Sequence, residues 1–229
     1  MFRQTLSVFV LTAAAAWSQD AGAVKAALQQ RIGEIKQSIG ANQAQLRQYA
    51  WTETTEIALK GEDKKRSQAD CKYGPDGKVQ KTPIGAAPPP AKKGGIKGKI
   101  IDKKVGEMKD YMDRVGSLIR RYVPPDPQDM QASFQAGKAT LVQSAAQLVF
   151  TDYAKPGDRV TLTFDPTTKK LRSFVVATYL DSTKDVVSLN ADSNSLPDGT
   201  NFVETTLLDA TSKKIQVKTT NSDYHKAGG

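Results

Sequence analysis

Histidine and cysteine are almost missing from this chain of 229 residues, which contains one of each, His225 and Cys71. With one histidine the sequence cannot supply a His-based zinc site or an HExxH motif. A Ser-His-Asp triad would have to use a residue near the C-terminal end. With one cysteine no internal disulfide can form, so stability must come from packing. We therefore expect no catalytic residues, no metal site and no cofactor, and we predict that the protein is not an enzyme.

Phosphate- and calcium-binding motifs are also missing in complete form. Residues 94–99 superficially suggest a phosphate loop, but the spacing is wrong and Ile100 stands where Ser or Thr would bind Mg²⁺. Asp192, Asn194 and Asp198 could chelate Ca²⁺ weakly, yet the EF-hand spacing is absent. Five further aspartates fall at predicted turns, where turn chemistry explains them: Asp152, Asp158, Asp165, Asp181 and Asp185.

Long hydrophobic runs are lacking except at the N-terminus, where an apolar run from Leu6 to Trp17 follows the cationic Arg3. The run is short for a bilayer crossing, which needs about 20 residues, although a membrane anchor is the alternative. The tripeptide Ala16-Trp17-Ser18 fits an A-x-A-like signal-peptidase site before Gln19, and Ala21-Gly22-Ala23 is a second option. We predict a signal peptide at 1–18, cleaved near Ser18 or Ala23, and a periplasmic or secreted single domain at 19–229 with no integral membrane segment.

Positive charge is concentrated in the middle third of the chain. The net charge is +9, and residues 60–121 carry seventeen basic and eight acidic groups, which accounts for all of it. At the centre lies KTPIGAAPPPAKKGGIKGK, and its proline and glycine content predicts a flexible insert at about 83–99. This insert is either a solvated linker or a docking arm for anionic envelope polymers or lipid head groups.

The candidate contacts for an anionic surface are lysines: Lys92, Lys93, Lys97, Lys99, Lys103 and Lys104. Arginine is absent from this stretch and no aromatic residue interleaves the lysines. Because nucleic-acid recognition favours stacking and bidentate contacts, these two absences argue against a nucleic-acid partner.

Apolar periodicity predicts three helices. Residues 24–49 form an amphipathic pattern that Gly33 and Gly40 weaken, so a kink or break near Gly40 is expected. A second pattern covers 105–122, and a short third helix at 127–135 can be capped by Asp126.

Alternation of period two predicts strands in the rest of the chain. Trp51 opens a three-strand meander that extends to residue 80, and further short strands follow from residue 139 at close spacing. This order favours an α+β fold with about eight or nine antiparallel strands and two or three helices on one face.

The segment 159–224 contains DPTTKKLRSFVVAT, DVVSLNADSNSLPDGTNFVETTLL and KKIQVKTTNSDY. This alternation, with its closing K-x-I-x-V strand and N-x-x-Y, resembles the C-terminal half of the LolA/LolB-like superfamily of periplasmic lipoprotein carriers. The N-terminal helix followed by a strand beginning with Trp is similar to that fold as well. The resemblance implies a curved antiparallel half-barrel with helices in its concave side, and a carrier for an apolar or lipidated ligand, with a lipid or lipidated protein as partner.

An apolar cavity between sheet and helices is the site that this function requires. Its candidate lining residues are Trp51, Ile57, Leu59, Met108, Met112 and Phe164. Trp51 could equally be an ordinary core residue. Cys71 shares a predicted strand face with Ala69 and Tyr73, which favours a small packed side chain over a reactive thiol.

Overall fold

Three helices and ten strands make up the computed structural model, which describes residues 15–85 and 96–227. The helices are α1 (Ala15–Leu46), α2 (Ile96–Ile119) and α3 (Pro127–Gln135). The first three strands, β1 (Tyr49–Leu59), β2 (Glu62–Tyr73) and β3 (Val79–Ile84), lie between α1 and α2. The other seven follow α3: β4 (Ala139–Val142), β5 (Gln147–Thr151), β6 (Arg159–Phe164), β7 (Leu171–Tyr179), β8 (Val186–Ser195), β9 (Asn201–Ala210) and β10 (Ile215–Lys226).

All ten strands belong to one open antiparallel sheet in the order β3-β2-β1-β10-β9-β8-β7-β6-β5-β4. The pairing of β1 with β10 joins the two meanders, so the chain makes one sheet from strands far apart in sequence. The sheet does not close, and β3 and β4 are its edges. The edge strand β3 carries Lys81 and Pro83, residue types that discourage pairing with another chain. The predicted antiparallel sheet is confirmed, with ten strands instead of eight or nine, and the three helices that accompany it are consistent with an α+β fold.

One face of the sheet carries the hydrophobic core. Residues that lie opposite each other on neighbouring antiparallel strands project from the same face, and the buried residues of β5 to β10 do so in register. All three helices pack against this face, through Ile32 and Ile35 of α1, Val115 and Leu118 of α2, and Met130 of α3. The other face alternates Thr, Ser and Val and is solvated, as is usual for antiparallel sheets.

The first helix is longer than its sequence pattern predicts. It begins at Ala15, continues without a break through Gly40 and ends at Leu46, so of the predicted kink or break near Gly40 the break is wrong. An isolated glycine lowers helix propensity by about 1 kcal/mol, which is too little to end a helix whose other side chains pack on a core. Both predicted cleavage positions, Ser18 and Ala23, lie inside α1, and residues 1–14 of the predicted signal peptide lie outside the described residues.

The boundaries of the lysine- and proline-rich segment differ from the prediction. Pro83 belongs to β3, paired with Ala69, and residues 96–99 belong to α2, so neither end of the predicted insert 83–99 is irregular. Residues 86–95 lie outside the described residues. The third helix agrees with its prediction, because Asp126 accepts a hydrogen bond from the N–H of Gln128 as its N-cap. None of the described helices is both long enough and apolar enough to cross a bilayer.

A buried carboxylate fixes the turn between β5 and β6. Asp158 is 2% exposed and accepts hydrogen bonds from the backbone N–H groups of Tyr153, Ala154 and Lys155. The hydroxyl of Tyr122 also donates to Asp158, at 2.7 Å, and lies 2.9 Å from the Thr178 hydroxyl. This network anchors the chain after α2 to the end of the sheet, which fixes where α2 lies relative to the strands.

Candidate functional site

The helix-facing side of β1 and β10 changes character along its length. Directly opposite pairs run from Leu59 and Ile215 through Ile57 and Val217 to Thr55 and Thr219, and then to Glu53 and Asn221. We call these eight residues the β1–β10 strip. It is apolar at one end and polar at the other, and the distance from Leu59 to Glu53 is ~20 Å at the usual rise of a strand.

The apolar end of the strip is incompletely covered. Across the sheet, Ile57, Val217, Leu208 and Leu189 are consecutive opposite neighbours on β1, β10, β9 and β8. Leu189 is buried, whereas the other three are partly buried against the core. Burial therefore decreases from the centre of the sheet towards β1, and apolar side chains remain half exposed where the core ends.

Two methionines of α2 were also predicted as cavity residues. Met108 and Met112 are partly buried and pack against the same core cluster as Ile57 and Leu59. Methionine is unbranched and adapts its shape readily, which suits a surface that must fit a variable apolar partner. Four of the six predicted cavity residues are thus partly buried hydrophobic side chains that pack against the main core.

The other two predicted cavity residues lie elsewhere. Phe164 is 6% exposed, on β6, five strands away from β1 in the sheet order, and belongs to the filled core. Trp51 is six residues from Ile57 along β1, ~20 Å at the usual strand rise, and is not part of the main core cluster. Sequence reasoning grouped them by apolar character alone, which does not encode distance across the sheet.

Trp51 belongs to a separate aromatic cluster at the polar end of the strip. Its ring stacks on Tyr224 with centroids 5.6 Å apart and lies 5.5 Å from Tyr73, and Phe202 lies 4.4 Å from Tyr224. Burial raises the pKa of both Tyr73 and Tyr224. Cys71, directly opposite Trp51 on β2, is 1% exposed, and burial raises the pKa of its thiol as well. The thiol is enclosed within the structure, as the small-packed-residue interpretation predicts.

The polar end of the strip contains an ion pair between a mostly buried glutamate and a half-exposed lysine. The Glu53 side chain is 15% exposed, and the Lys81 ammonium group of β3 lies 2.5 Å and 2.6 Å from its two carboxylate oxygens. Thr55 donates a longer hydrogen bond, of 3.4 Å, to the same carboxylate. The charge of Glu53 is therefore matched within the sheet.

Two buried polar atoms at this end have no hydrogen-bond partner among the described residues. They are the indole Nε1 of Trp51 and the amide oxygen Oδ1 of Asn221. The amide nitrogen of Asn221 is satisfied, since it donates to the carbonyl of Val203 at 2.9 Å. Buried polar groups are paired in the great majority of cases, so two unpaired atoms on one short stretch of one face are unusual.

A charged cleft lies at the ends of the strands, outside the strip. It has a volume of 460 Å³ and is lined by Glu107, Asp110, Tyr111, Arg114, Asp181, Ser182, Lys184, Asp185, Ser212 and Lys213. Its groups largely pair with one another: Arg114 binds Asp181, and the Tyr111 hydroxyl donates to Asp185 at 2.8 Å. These contacts hold α2 against the β7–β8 turn. None of the predicted cavity residues lines the cleft.

The predicted lysine contacts are only partly visible. Lys92 and Lys93 lie outside the described residues, and the side chains of Lys97, Lys99 and Lys104, within α2, are not described. Lys103 is exposed, and its ammonium group lies 4.0 Å from Glu107 one helical turn later. Within residues 15–85 and 96–227, no group of histidine, cysteine and carboxylate side chains is arranged to hold a metal ion.

Comparisons with known proteins return nothing: no protein-family model, no curated protein and no solved structure matches this chain. The case for a function therefore rests on the β1–β10 strip and its surroundings. Sequence reasoning did not select Val217, Leu208 or Asn221, because their importance follows from the pairing of β1 with β10. The alternation of KKIQVKTT and WTETTEIAL gave the faces of each strand, but not which strands are neighbours.

Proposed function

We propose that this protein is a non-enzymatic binding or carrier protein for an apolar or lipidated ligand, and that the apolar end of the β1–β10 strip holds the apolar part of that ligand. The observation that carries the proposal is the row of half-buried apolar residues where the core ends on β9, β10 and β1. A ligand chain laid along this row would bury surface that the protein leaves partly in water, worth about 25 cal/mol per Å².

The architecture supports this proposal without restricting the ligand to one kind. A single open sheet, with helices on one face only, can hold an apolar chain on its core-facing side while its other face stays in water. We propose that this sheet is curved like the half-barrel of the LolA/LolB-like superfamily, with the helices on its concave side. Export to the periplasm or the medium, after cleavage near Ser18 or Ala23, belongs to the same proposal.

A polar substitution in the row tests the carrier proposal. Val217→Thr replaces a methyl group by a hydroxyl with almost no change in volume, so the row of apolar residues becomes more polar while the strand stays intact. We expect the affinity for a fluorescent fatty-acid probe, measured by titration, to fall about fivefold to tenfold, since such a replacement costs about 1 kcal/mol or more.

The matched control is Val175→Thr on β7, a half-buried valine that projects from the opposite face of the sheet. It should leave probe affinity unchanged. Thermal melts of both variants show whether the fold survives. Equal loss of affinity in both variants, or no probe binding by the unchanged protein, contradicts the carrier proposal.

We also propose, as a second function, that the basic middle third docks the protein on an anionic surface such as lipid head groups or an envelope polymer. The excess charge of residues 60–121 supports it, as does the exposure of Lys65, Lys72, Lys78 and Lys109 in the described part. Each lysine near an anionic membrane contributes about 1 kcal/mol, and salt screens this attraction.

Cosedimentation with anionic and neutral vesicles tests the docking proposal. Lys92→Gln combined with Lys93→Gln should weaken binding to anionic vesicles at low salt, whereas Lys213→Gln combined with Lys214→Gln, outside the basic third, should not. Binding that is equal in both double variants, or insensitive to salt, rules out docking through these lysines.

A further inference from the structure

We propose that the polar end of the β1–β10 strip is a binding subsite for an uncharged head group that both donates and accepts a hydrogen bond, such as a hydroxyl or a secondary amide. This inference rests on the proposed carrier function, because it assigns the other end of the same ligand. The ligand is then a neutral amphiphile, with its chain along Ile57 and Val217 and its head group beside Trp51 and Asn221.

The two unpaired atoms define the chemistry of the head group. The indole Nε1–H of Trp51 can only donate, and the Oδ1 of Asn221 can only accept. A hydroxyl or an amide supplies the matching acceptor and donor in one small group. Trp51 is 6% exposed, so its N–H has lost water on folding and lacks a replacement, at a cost of about 1–3 kcal/mol.

The two side chains are near enough for one group to bind both. Asn221 is directly opposite Glu53, and Trp51 is the next residue of β1 on the same face, at a register shift between Ala50 and Thr52, so Trp51 is the diagonal neighbour of Asn221. Diagonal neighbours in an antiparallel pair are about 7–8 Å apart at the backbone, within reach of long side chains.

The charges around the subsite favour a neutral group over an ionic one. Glu53 is already paired with Lys81, so neither charge is left for a ligand without breaking the pair. A carboxylate or phosphate would have to lie beside the Glu53 carboxylate, and a cationic group would have to compete with Lys81. A neutral head group neither repels the Glu53 carboxylate nor competes with the Lys81 ammonium group.

The strip then matches an amphiphile along its whole length. From Glu53 and Asn221 the helix-facing residues become Thr55 and Thr219 and then the apolar pairs. From the polar pair to Ile57 the distance is ~13 Å, so an acyl chain attached to the head group reaches the apolar end directly. The change from polar to apolar pairs along the strip therefore sets the direction in which the ligand lies, with its head group near Asn221 and its chain near Ile57.

The experiment compares two neutral ligands with the same chain, 1-monooleoylglycerol and methyl oleate. The first carries hydroxyl groups that donate and accept, and the second has no donor. Binding is measured by displacement of a fluorescent fatty-acid probe from the full chain, stripped of endogenous lipid. We expect the unchanged protein to prefer monooleoylglycerol on the order of tenfold, the equivalent of one satisfied buried pair.

Asn221→Leu keeps the size of the side chain and removes the acceptor together with the hydrogen bond to the Val203 carbonyl, so it should abolish this preference while methyl oleate still binds within about twofold of the unchanged protein. The control is Asn190→Leu on β8, an exposed asparagine on the opposite face, which should keep the preference. Trp51→Phe removes the donor, keeps an aromatic ring, and serves if Asn221→Leu does not fold.

The outcomes separate this inference from the carrier proposal. If both ligands bind the unchanged protein equally, or if the preference survives both substitutions, the head-group subsite is wrong while the carrier proposal stands. A preference for oleate over both neutral ligands also overturns it, because the head group is then anionic. If neither ligand binds and the probe does not bind either, the carrier proposal fails and this inference fails with it.

Discussion

Asp158 shows how a single side chain organises one end of the molecule. A carboxylate that is 2% exposed must replace its hydration by hydrogen bonds, and here three backbone N–H groups and the Tyr122 hydroxyl do so. The aspartate therefore serves the turn, in agreement with the turn interpretation of the sequence. Its position also explains why Tyr122, three residues after the end of α2, is fully buried.

The pKa of Tyr153, in the same turn, leads to a prediction about the stability of the protein at alkaline pH. Burial raises its pKa from 10 to about 12, and burial also raises the pKa values of Tyr111, Tyr122 and Tyr224. Because the folded protein favours the neutral phenol, stability is fully present below pH ~10 and falls as the pH rises towards 12, by about 1.4 kcal/mol per unit of pKa difference.

We expect the free energy of unfolding, from urea titrations, to be lower at pH 11 than at pH 9. In Tyr153→Phe this decrease should be smaller, because one of the raised pKa values is gone. A decrease of the same size in both proteins would show that Tyr153 ionises without cost in the folded state.

At the scale of elements, α1 illustrates a helix that depends on its partners. Its intrinsic pattern contains two glycines, yet it runs unbroken from Ala15 to Leu46 because Ile32 and Ile35 pack into the core. Near its C-terminal end, the amide of Asn42 donates to the carbonyl of Asn201 at 2.7 Å and its oxygen accepts from the Asn201 N–H. These contacts hold α1 to the start of β9.

Gly40→Ala should stabilise the protein. A methyl group at Gly40 would meet no atom within 4 Å, so the substitution gains helix propensity without a clash. We expect the free energy of unfolding to rise by about 0.5–1 kcal/mol in chemical denaturation.

The contrasting substitution is Gly77→Ala in the β2–β3 turn. Gly77 has φ of +75°, and a methyl group there would lie 2.7 Å from an Arg47 nitrogen, so this variant should lose stability. If Gly40→Ala destabilises the protein instead, the helix is not continuous at that position.

At the scale of the whole molecule, one sheet connects two groups of buried side chains. The main core lies under the helices, and the aromatic cluster of Trp51, Tyr73, Phe202 and Tyr224 lies at the other end of β1 and β10. The β1–β10 strip spans the distance between them. Since the same two strands belong to both groups, neither can unfold without disturbing the other.

We therefore expect a single cooperative unfolding transition for the chain. In Trp17→Phe, Trp51 is the remaining tryptophan, so its fluorescence reports on the aromatic cluster while far-ultraviolet circular dichroism reports on the whole fold. The two urea midpoints should coincide. An earlier midpoint by fluorescence would mean that β1 and β2 form a separate unit and that the single-domain prediction for residues 19–229 is wrong.

The sequence by itself determined the local elements. Period-two alternation identified the strands of both meanders, and the Asp126 cap with its following proline identified α3 to the residue. The class of fold followed from their order, because runs of closely spaced strands pair with their neighbours. These properties depend on residues close together in the chain, and so they are visible in a sequence.

Only the tertiary structure decided which strands meet across the chain. The pairing of β1 with β10 places Glu53 opposite Asn221 and Ile57 opposite Val217, residues separated by more than 150 positions. The hydrophobic pattern of a strand shows which residues share a face, but it does not show which strand is the neighbour. By this pattern Trp51 and Phe164 are both apolar, although they lie in different clusters. The β1–β10 strip exists because backbone hydrogen bonds fix a register between distant segments, and that register is a property of the folded sheet.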